Sequence, residues 1–368
     1  MRRKRASNNK MAEVARRVGV SLSTVSRALA GSSLISEETR RLVREAAESL
    51  NYRVDAAGSS LRTGLTRTIG VVIPLAHAAK QNLSDPFFLE ILGALADELS
   101  ASGYSMLLQK VTDDPSEWIA TIARGRRADG VIVIGQSLHH EVLNTIATTD
   151  FPMVVWGSRM KGQRYISVGS DNEAGGQAAT SHLISQGCRN IVFLGDPGAP
   201  EVAARLEGFA RALREARIER KPQLEVAVRF GSDTAYHATG SLIDADVEFD
   251  GVMACSDVFA MSAMRALIER GRKVPADVAI VGFDDIPFAA FTSPPLTTIR
   301  QNCHVGARLL VEKLMRAIRH EHNESVVIPT ELVIRASSLR EHYRALPNIR
   351  SARPAPPPAA RGRKAKAG

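Results

Sequence analysis

The chain has 368 residues, 44% of them hydrophobic, and a formal net charge of +9. That length holds two or three domains with real cores, and no apolar run reaches the roughly 18 residues of a membrane span. The N-terminus, MRRKRASNNK, has charge but no apolar segment behind it and is not read as a secretory signal. Cys188, Cys255 and Cys303 are odd in number and far apart, without metal-ligand spacing, and are read as reduced thiols of a cytoplasmic protein.

The charge is uneven along the chain. Residues 1–67 hold 14 Lys/Arg against 6 Asp/Glu, residues 347–368 hold 6 Lys/Arg and no acid, and 68–346 hold 28 against 33. A basic head on a mildly acidic body implies a polyanion contacted by one end. Residues 1–9 are expected to be a basic disordered tail, and 347–368 a disordered Pro/basic tail that aids solubility.

Residues 10–53 read as three short helices. In MAEVARRV (11–18) the apolar Met11, Val14, Ala15 and Val18 recur at helical spacing, with Asn9 as the expected N-cap. Gly19 permits a tight turn, and Ser21 caps a second helix of about nine residues. A third begins at SEETRRLVREAAESLNY, capped by Ser36 and burying Val43, Ala46, Ala47 and Leu50. Helix, short turn and helix, with small residues at the crossing, make a helix-turn-helix.

Residues 54–67, VDAAGSSLRTGLTR, are too polar for a core helix, and Gly58 costs about 1 kcal/mol of helix stability relative to alanine. This hinge and linker is expected to be unfolded in isolation. From Thr68 to residue 346, β-branched runs such as TIGVVIP, DGVIVIG, NIVFLG and DVAIVGFDD alternate with stretches of helical period. Strand alternating with helix predicts parallel sheets covered by helices on both faces. Ligands of such sheets sit at the carboxyl ends of the strands.

Several stretches together resemble the lactose/galactose repressor family. In the head and hinge they are VARRVGVSLSTVSRALAG, ISEETRRLVREAAESLNY and SLRTGLTRTIGVVIP. In the body they are DPFF, SDNEAGG, ARLEGF, SDVFAMSAMRAL, VPADVAIVGFDDIP and SPPLTTIRQ, and the likeness runs in order from about residue 10 to 340. The resemblance implies an all-α helix-turn-helix head and an α/β sensor of two doubly wound lobes, similar to periplasmic sugar-binding proteins, with three crossings between lobes. It also implies a homodimer, in some members a dimer of dimers, on palindromic operator DNA. A small effector, usually a sugar, shifts DNA affinity. With no heptad extension after residue 340, a dimer is expected.

In a helix-turn-helix the second helix enters the major groove. Leu22, Ser23 and Arg27 lie on its outer face, where the resemblance places base contacts, with Arg27 suited to a guanine and Leu22 to a thymine methyl. Ser21, Thr24 and Ser26 suit phosphate oxygens. Leu61 matches the leucine that wedges into the minor groove in the family, while Gly58 and Ser59 depart from its common Ala-Arg.

Sugars present flat apolar faces and a rim of hydroxyls. The resemblance places effector contacts at Asp85, Phe87, Phe88, Asn172, Arg205, Ser256, Asp284 and Gln301, and aromatics at strand ends add Trp156 and Phe230. Asp284 and Arg205 lead, because each grips two neighbouring hydroxyls. Asp257 is an alternative cap for the helix that follows Ser256, and Ser256 replaces an amide or acid frequent in the family. A purine or other non-sugar co-repressor is the alternative effector. No cofactor or metal is expected. No phosphate loop, nucleophile elbow or H-E-x-x-H motif supports an enzyme, and a transport binding protein does not explain the basic head.

Overall fold

The computed structural model describes residues 2–29, 32, 34–52, 65–74, 83–111, 121, 125, 127–136, 139–229 and 232–340. Leu61 and Phe230 lie outside the described residues, as do Gly58, Ser59 and the 347–368 tail.

The head consists of α1 (Arg2–Val18), α2 (Leu22–Leu29) and α3 (Glu37–Ser49). Helix α1 begins well before residue 11, so the expected 1–9 tail is largely helical and Asn9 lies inside the helix instead of capping it. The reason is local: RRKRASNNK contains no glycine or proline, and arginine, lysine and alanine are good helix formers. Gly19 takes φ +73° in the turn before α2. Ser21 caps α2, its Oγ accepting the Thr24 amide at 3.1 Å. Ser36 caps α3 by accepting the Thr39 amide at 3.2 Å. Val14, Ala15, Val25, Ala28, Val43, Ala46 and Ala47 form the core, with Val20, Leu29 and Leu50 packed against it.

Beyond the head the strands and helices are β1 (Thr68–Pro74), α4 (Pro86–Ala101), β2 (Ser105–Val111), β3 (Gly130–Ile134), α5 (His140–Ile146), β4 (Met153–Trp156) and β5 (Ile166–Ser170). There follow α6 (Asn172–Ser185), β6 (Ile191–Leu194), α7 (Pro200–Glu215), β7 (Glu225–Val226), α8 (Ser232–Asp244), β8 (Gly251–Ala254) and α9 (Asp257–Glu269). The chain continues through β9 (Ala279–Asp284), β10 (Thr297–Arg300), α10 (Cys303–Ile318), β11 (Val326–Ile328) and β12 (Glu331–Val333).

Two six-stranded sheets result, in the orders β11-β5-β4-β3-β1-β2 and β12-β10-β9-β8-β6-β7. Pairs such as β1 with β3, β3 with β4, β6 with β8 and β8 with β9 are parallel, while β12 runs antiparallel to β10. The described chain forms two units, with changes between them at 169/170, 302/303 and 326/327 and with 83–88 grouped in the second. These three changes match the expected crossings. The first unit buries Val72, Val131, Val133, Leu143 and Val155 around its sheet. The second buries Phe193, Phe209, Phe259, Phe283 and Ile299. No helix among the described residues is long and apolar enough to cross a membrane.

Candidate functional site

The first candidate surface is the outer face of α2. Val25 and Ala28 are fully buried, which turns the opposite side of the helix to solvent and leaves Leu22 48% exposed. Ser23 and Arg27 are exposed with it, and Ser26 is half-buried. The Ser21 hydroxyl lies 2.7 Å from Ser23 Oγ and 2.9 Å from Thr24 Oγ1, so three hydroxyls cluster at the helix N-terminus. The Arg27 side chain has no ion-pair or hydrogen-bond partner among the described residues.

The second is a buried cluster in the second unit, made possible by glycine. A Cβ on Gly176 of α6 would fall on the Arg205 carbonyl oxygen of α7, and one on Gly208 would fall on the Glu173 carbonyl oxygen. The two helices therefore pack backbone to backbone, which only glycine allows. A Cβ on Gly175 would collide with the Phe283 ring. The AGG of SDNEAGG and the Gly of RLEGF thus bring Arg205 over that ring, with its guanidinium carbon 3.7 Å from the centroid.

Arg205 Nε donates to Asn172 Oδ1 at 2.8 Å, and Nη1 donates to the Cys255 carbonyl. Asn172 Nδ2 donates to the Ser170 carbonyl at 3.0 Å, which orients the amide for this role. Across the sheet, Gln301 Nε2 donates to Asp284 Oδ1 at 2.7 Å. Arg205, Asn172, Asp284 and Gln301 are all buried. Asp284 also accepts from the Asp257 backbone amide, while among the described residues Arg205 Nη2 and Gln301 Oε1 make no hydrogen bond, leaving guanidinium N–H donors and one amide acceptor uncommitted.

Asp284 and Asp285 both have positive φ, +125° and +59°, a geometry that costs non-glycine residues about 1–3 kcal/mol each. The turn sends the two carboxylates apart. Asp284 meets Gln301, whereas Asp285 accepts from Arg300 and Arg335, each at 2.7 Å. Burial pushes Asp284 up to about 7, the Asp85 charge adding to the rise and Arg205 opposing it. Burial also raises Asp85, whose Oδ1 accepts the Phe87 amide at 3.0 Å. The Phe87 and Phe88 rings lie 5.7 Å apart in a tilted pair, with Phe88 buried.

Two expected assignments change. Ser256, not Asp257, caps α9: its Oγ accepts the Phe259 amide at 3.2 Å. Asp257 accepts instead from Thr298 Oγ1 at 2.5 Å and from the Ile286 amide at 2.9 Å. Burial, reinforced by the Asp284 charge, raises it well above the carboxylate range. Trp156, expected as a ligand wall, is a core residue of the first unit; a Cβ on Gly306 of α10 would strike its ring.

Some residues of the cluster gave no local signal. Phe283 sits in an apolar strand run like any core residue, and the Cys255 carbonyl is a backbone group. The paired glycines of SDNEAGG, unusual inside a helix, were the one available clue to the close helix approach.

The comparisons with known proteins agree with this layout. A sequence model for bacterial regulatory proteins of the lacI family matches residues 10–55, and one for a periplasmic binding protein-like domain matches 180–338. The chain is 32% identical over 335 residues to the HTH-type transcriptional repressor PurR of Pasteurella multocida strain Pm70, covering 88% of this chain and 97% of the relative. It is 32% identical over 335 residues to the ribose operon repressor of Halalkalibacterium halodurans, covering 89% and 96%. A solved complex of the transcriptional regulator CelR with cellobiose matches with a TM-score of 0.67 at 30% identity, covering 89% of this chain and 99% of that one.

Proposed function

The chain belongs to the lacI family of bacterial regulatory proteins, and on that premise we propose that it is a cytoplasmic, homodimeric repressor switched by an uncharged sugar or glycoside. Membership makes it a DNA-binding transcriptional repressor with a ligand-binding sensor domain, and not an enzyme. Leu22, Ser23 and Arg27 read bases of a palindromic operator, Ser21, Thr24 and Ser26 position the helix on phosphates, and Leu61 enters the minor groove.

The ligand class rests on one observation, the state of Arg205. Its Nε and Nη1 are spent on Asn172 and the Cys255 carbonyl, and its face lies on Phe283. Burial raises Asp85, Asp257 and Asp284; the Asp85 charge adds to the rise of Asp284, which Arg205 opposes, and the Asp284 charge adds to that of Asp257. Recognition of a phosphate or carboxylate calls for an open guanidinium fork, and in this one two of the three nitrogens already donate within the protein. A ligand bearing hydroxyls suits the remaining guanidinium N–H donors and the carboxylate acceptors, with Phe87 and Phe88 supplying an apolar face. CelR with cellobiose and the ribose operon repressor favour a sugar, while the PurR relative favours the second reading, a purine base.

The homodimer is supported by an apolar patch. Phe288 is 63% and Phe291 85% exposed. Nearby Met261, Met264 and Ile268 line a groove with Arg265, Thr292 and Ser293. Rings so exposed mark an interaction surface, and the patch suits a second copy.

The test is thermal unfolding of the full chain against cellobiose, ribose, their phosphorylated counterparts and purine bases, followed by operator binding with each hit. A neutral sugar is expected to raise the midpoint and shift operator affinity by about 5- to 150-fold. Binding of a purine base with all sugars silent overturns the sugar assignment, and a phosphorylated sugar that shifts operator affinity more than its neutral counterpart overturns the uncharged one.

A further inference from the structure

The first unit holds a polar cavity of about 450 Å³ bounded by two segments. His140, Glu141, Asn144, Thr145 and Thr148 come from α5 and the turn after it, and Lys161, Gly162 and Arg164 from the loop between β4 and β5. The volume falls in the ~300–1,000 Å³ range of small-molecule sites.

The loop is held from below at almost every residue. Asn144, itself buried, accepts the Arg164 amide at 2.8 Å and donates to the Gly162 carbonyl at 3.3 Å. Gln163 Oε1 accepts the Met160 amide at 3.0 Å, and its Nε2 donates to the Tyr165 carbonyl and to Ser167 Oγ, each at 2.8 Å. Gly162 at φ +74° makes the turn between the two cations. The backbone carrying Lys161 and Arg164 is therefore preorganised, yet neither side chain has an ion pair or hydrogen bond among the described residues. Unpaired cations on a fixed loop over a polar cavity are the elements of an oxyanion-binding site. Glu141 is the one acid in the lining and forms no ion pair with either cation.

We propose that this cavity binds a small oxyanion, with Lys161 and Arg164 as its charged ligands and phosphate, free or as a monoester, as the matching chemistry. The wall of the cavity continues inward. Asn144 Nδ2 lies 3.3 Å from His140 Nε2, which places the imidazole proton on Nδ1, 2.9 Å from the Tyr165 oxygen. Gln136 Nε2 donates to that oxygen at 2.9 Å and to the Ser158 carbonyl at 2.6 Å. Gln136 directly follows Gly135 at the carboxyl end of β3, so the anion site is wired to the edge where sheet ligands bind.

The experiment titrates the full chain by calorimetry with inorganic phosphate and with a hexose 6-phosphate, at constant ionic strength set by chloride. Saturable binding is expected, with affinity for either probe falling about tenfold or more in Lys161→Ala/Arg164→Ala. Both side chains are exposed, so the double variant is expected to keep its unfolding midpoint without phosphate. Binding of inorganic phosphate alone assigns the free anion, and tighter binding of the hexose phosphate assigns a monoester. Absence of saturable binding, its loss to chloride screening, or unchanged affinity in a folded double variant overturns the site.

Discussion

The outer face of α2 and the cluster around Arg205 are the two candidate recognition surfaces, and they are built on opposite principles. In the head, the Arg27 side chain has no partner among the described residues and Leu22 stays half in water. In the sensor, Arg205, Asn172, Asp284 and Gln301 are all buried and each is already hydrogen-bonded within the protein. The difference follows from the partner. DNA brings its own charge and solvent, and an uncommitted exposed arginine loses little by waiting for it. A small effector must be enclosed, and a buried guanidinium without partners costs more than it returns. On the proposed function, the head recognises through what it leaves free, the sensor through the atoms it has not yet paired.

The comparison is broken most severely by Arg205→Ala. Removing it leaves Asn172 Oδ1 and the Cys255 carbonyl without their donor and Asp284 without its nearby cation. A loss of about 3–5 kcal/mol is expected, read as a large fall in the sensor's denaturant midpoint together with loss of effector binding. A fall below about 1 kcal/mol refutes the view of a committed arginine. Next is Gly208→Ala, which forces a Cβ onto the Glu173 carbonyl oxygen. The helices must separate at a cost of about 1–3 kcal/mol, and Arg205 moves with α7. Weaker effector binding than in a surface variant of equal stability is the expected result.

Arg27→Ala tests the other side. Discrimination at one base pair is expected to fall by about 1–3 kcal/mol, with thermal unfolding unchanged and the salt dependence of non-specific binding little altered. Uniform weakening on every sequence instead makes Arg27 a phosphate contact. Leu22→Ala is expected to change stability by no more than about 0.5 kcal/mol, while operator affinity drops.

The last prediction concerns pH. Asp284 titrates at about 7 in the folded chain, against an ordinary 3.8. Between those values the folded state holds a proton that the unfolded state has released. Stability contributed by this group is therefore full below about pH 4 and lost as pH rises through about 7. Asp284→Asn is expected to make that descent shallower in thermal melts across the interval. The slope does not vanish, because Asp257 is raised in the same direction.

Much of this was legible in the residues. Ser21 and Ser36 act as the caps they were expected to be, and Val25, Val43, Ala46 and Ala47 are buried as their spacing required. The caps rest on contacts within three residues along the chain, and the buried positions follow from a helical period that sets which side of each helix faces the shared core. Arg205, Asn172, Asp284 and Gln301 were named through resemblance and do come together. Asn9 misled because an absence of helix breakers outweighed one good capping residue.

By itself, then, the sequence determined the periodicities: three helices in the head, strand alternating with helix beyond it, and a basic end on an acidic body. Tertiary structure alone decided what each polar or aromatic side chain meets. Ser256 became a cap, Asp257 a buried partner of Thr298, Trp156 a core ring over Gly306, and Arg205 a group largely spent before any ligand arrives. Apart from the cap, the partners in these pairings stand tens of residues or more apart in the chain. Local pattern carries no record of such distances, which are set by which strands neighbour one another and how closely two glycine-bearing helices pack.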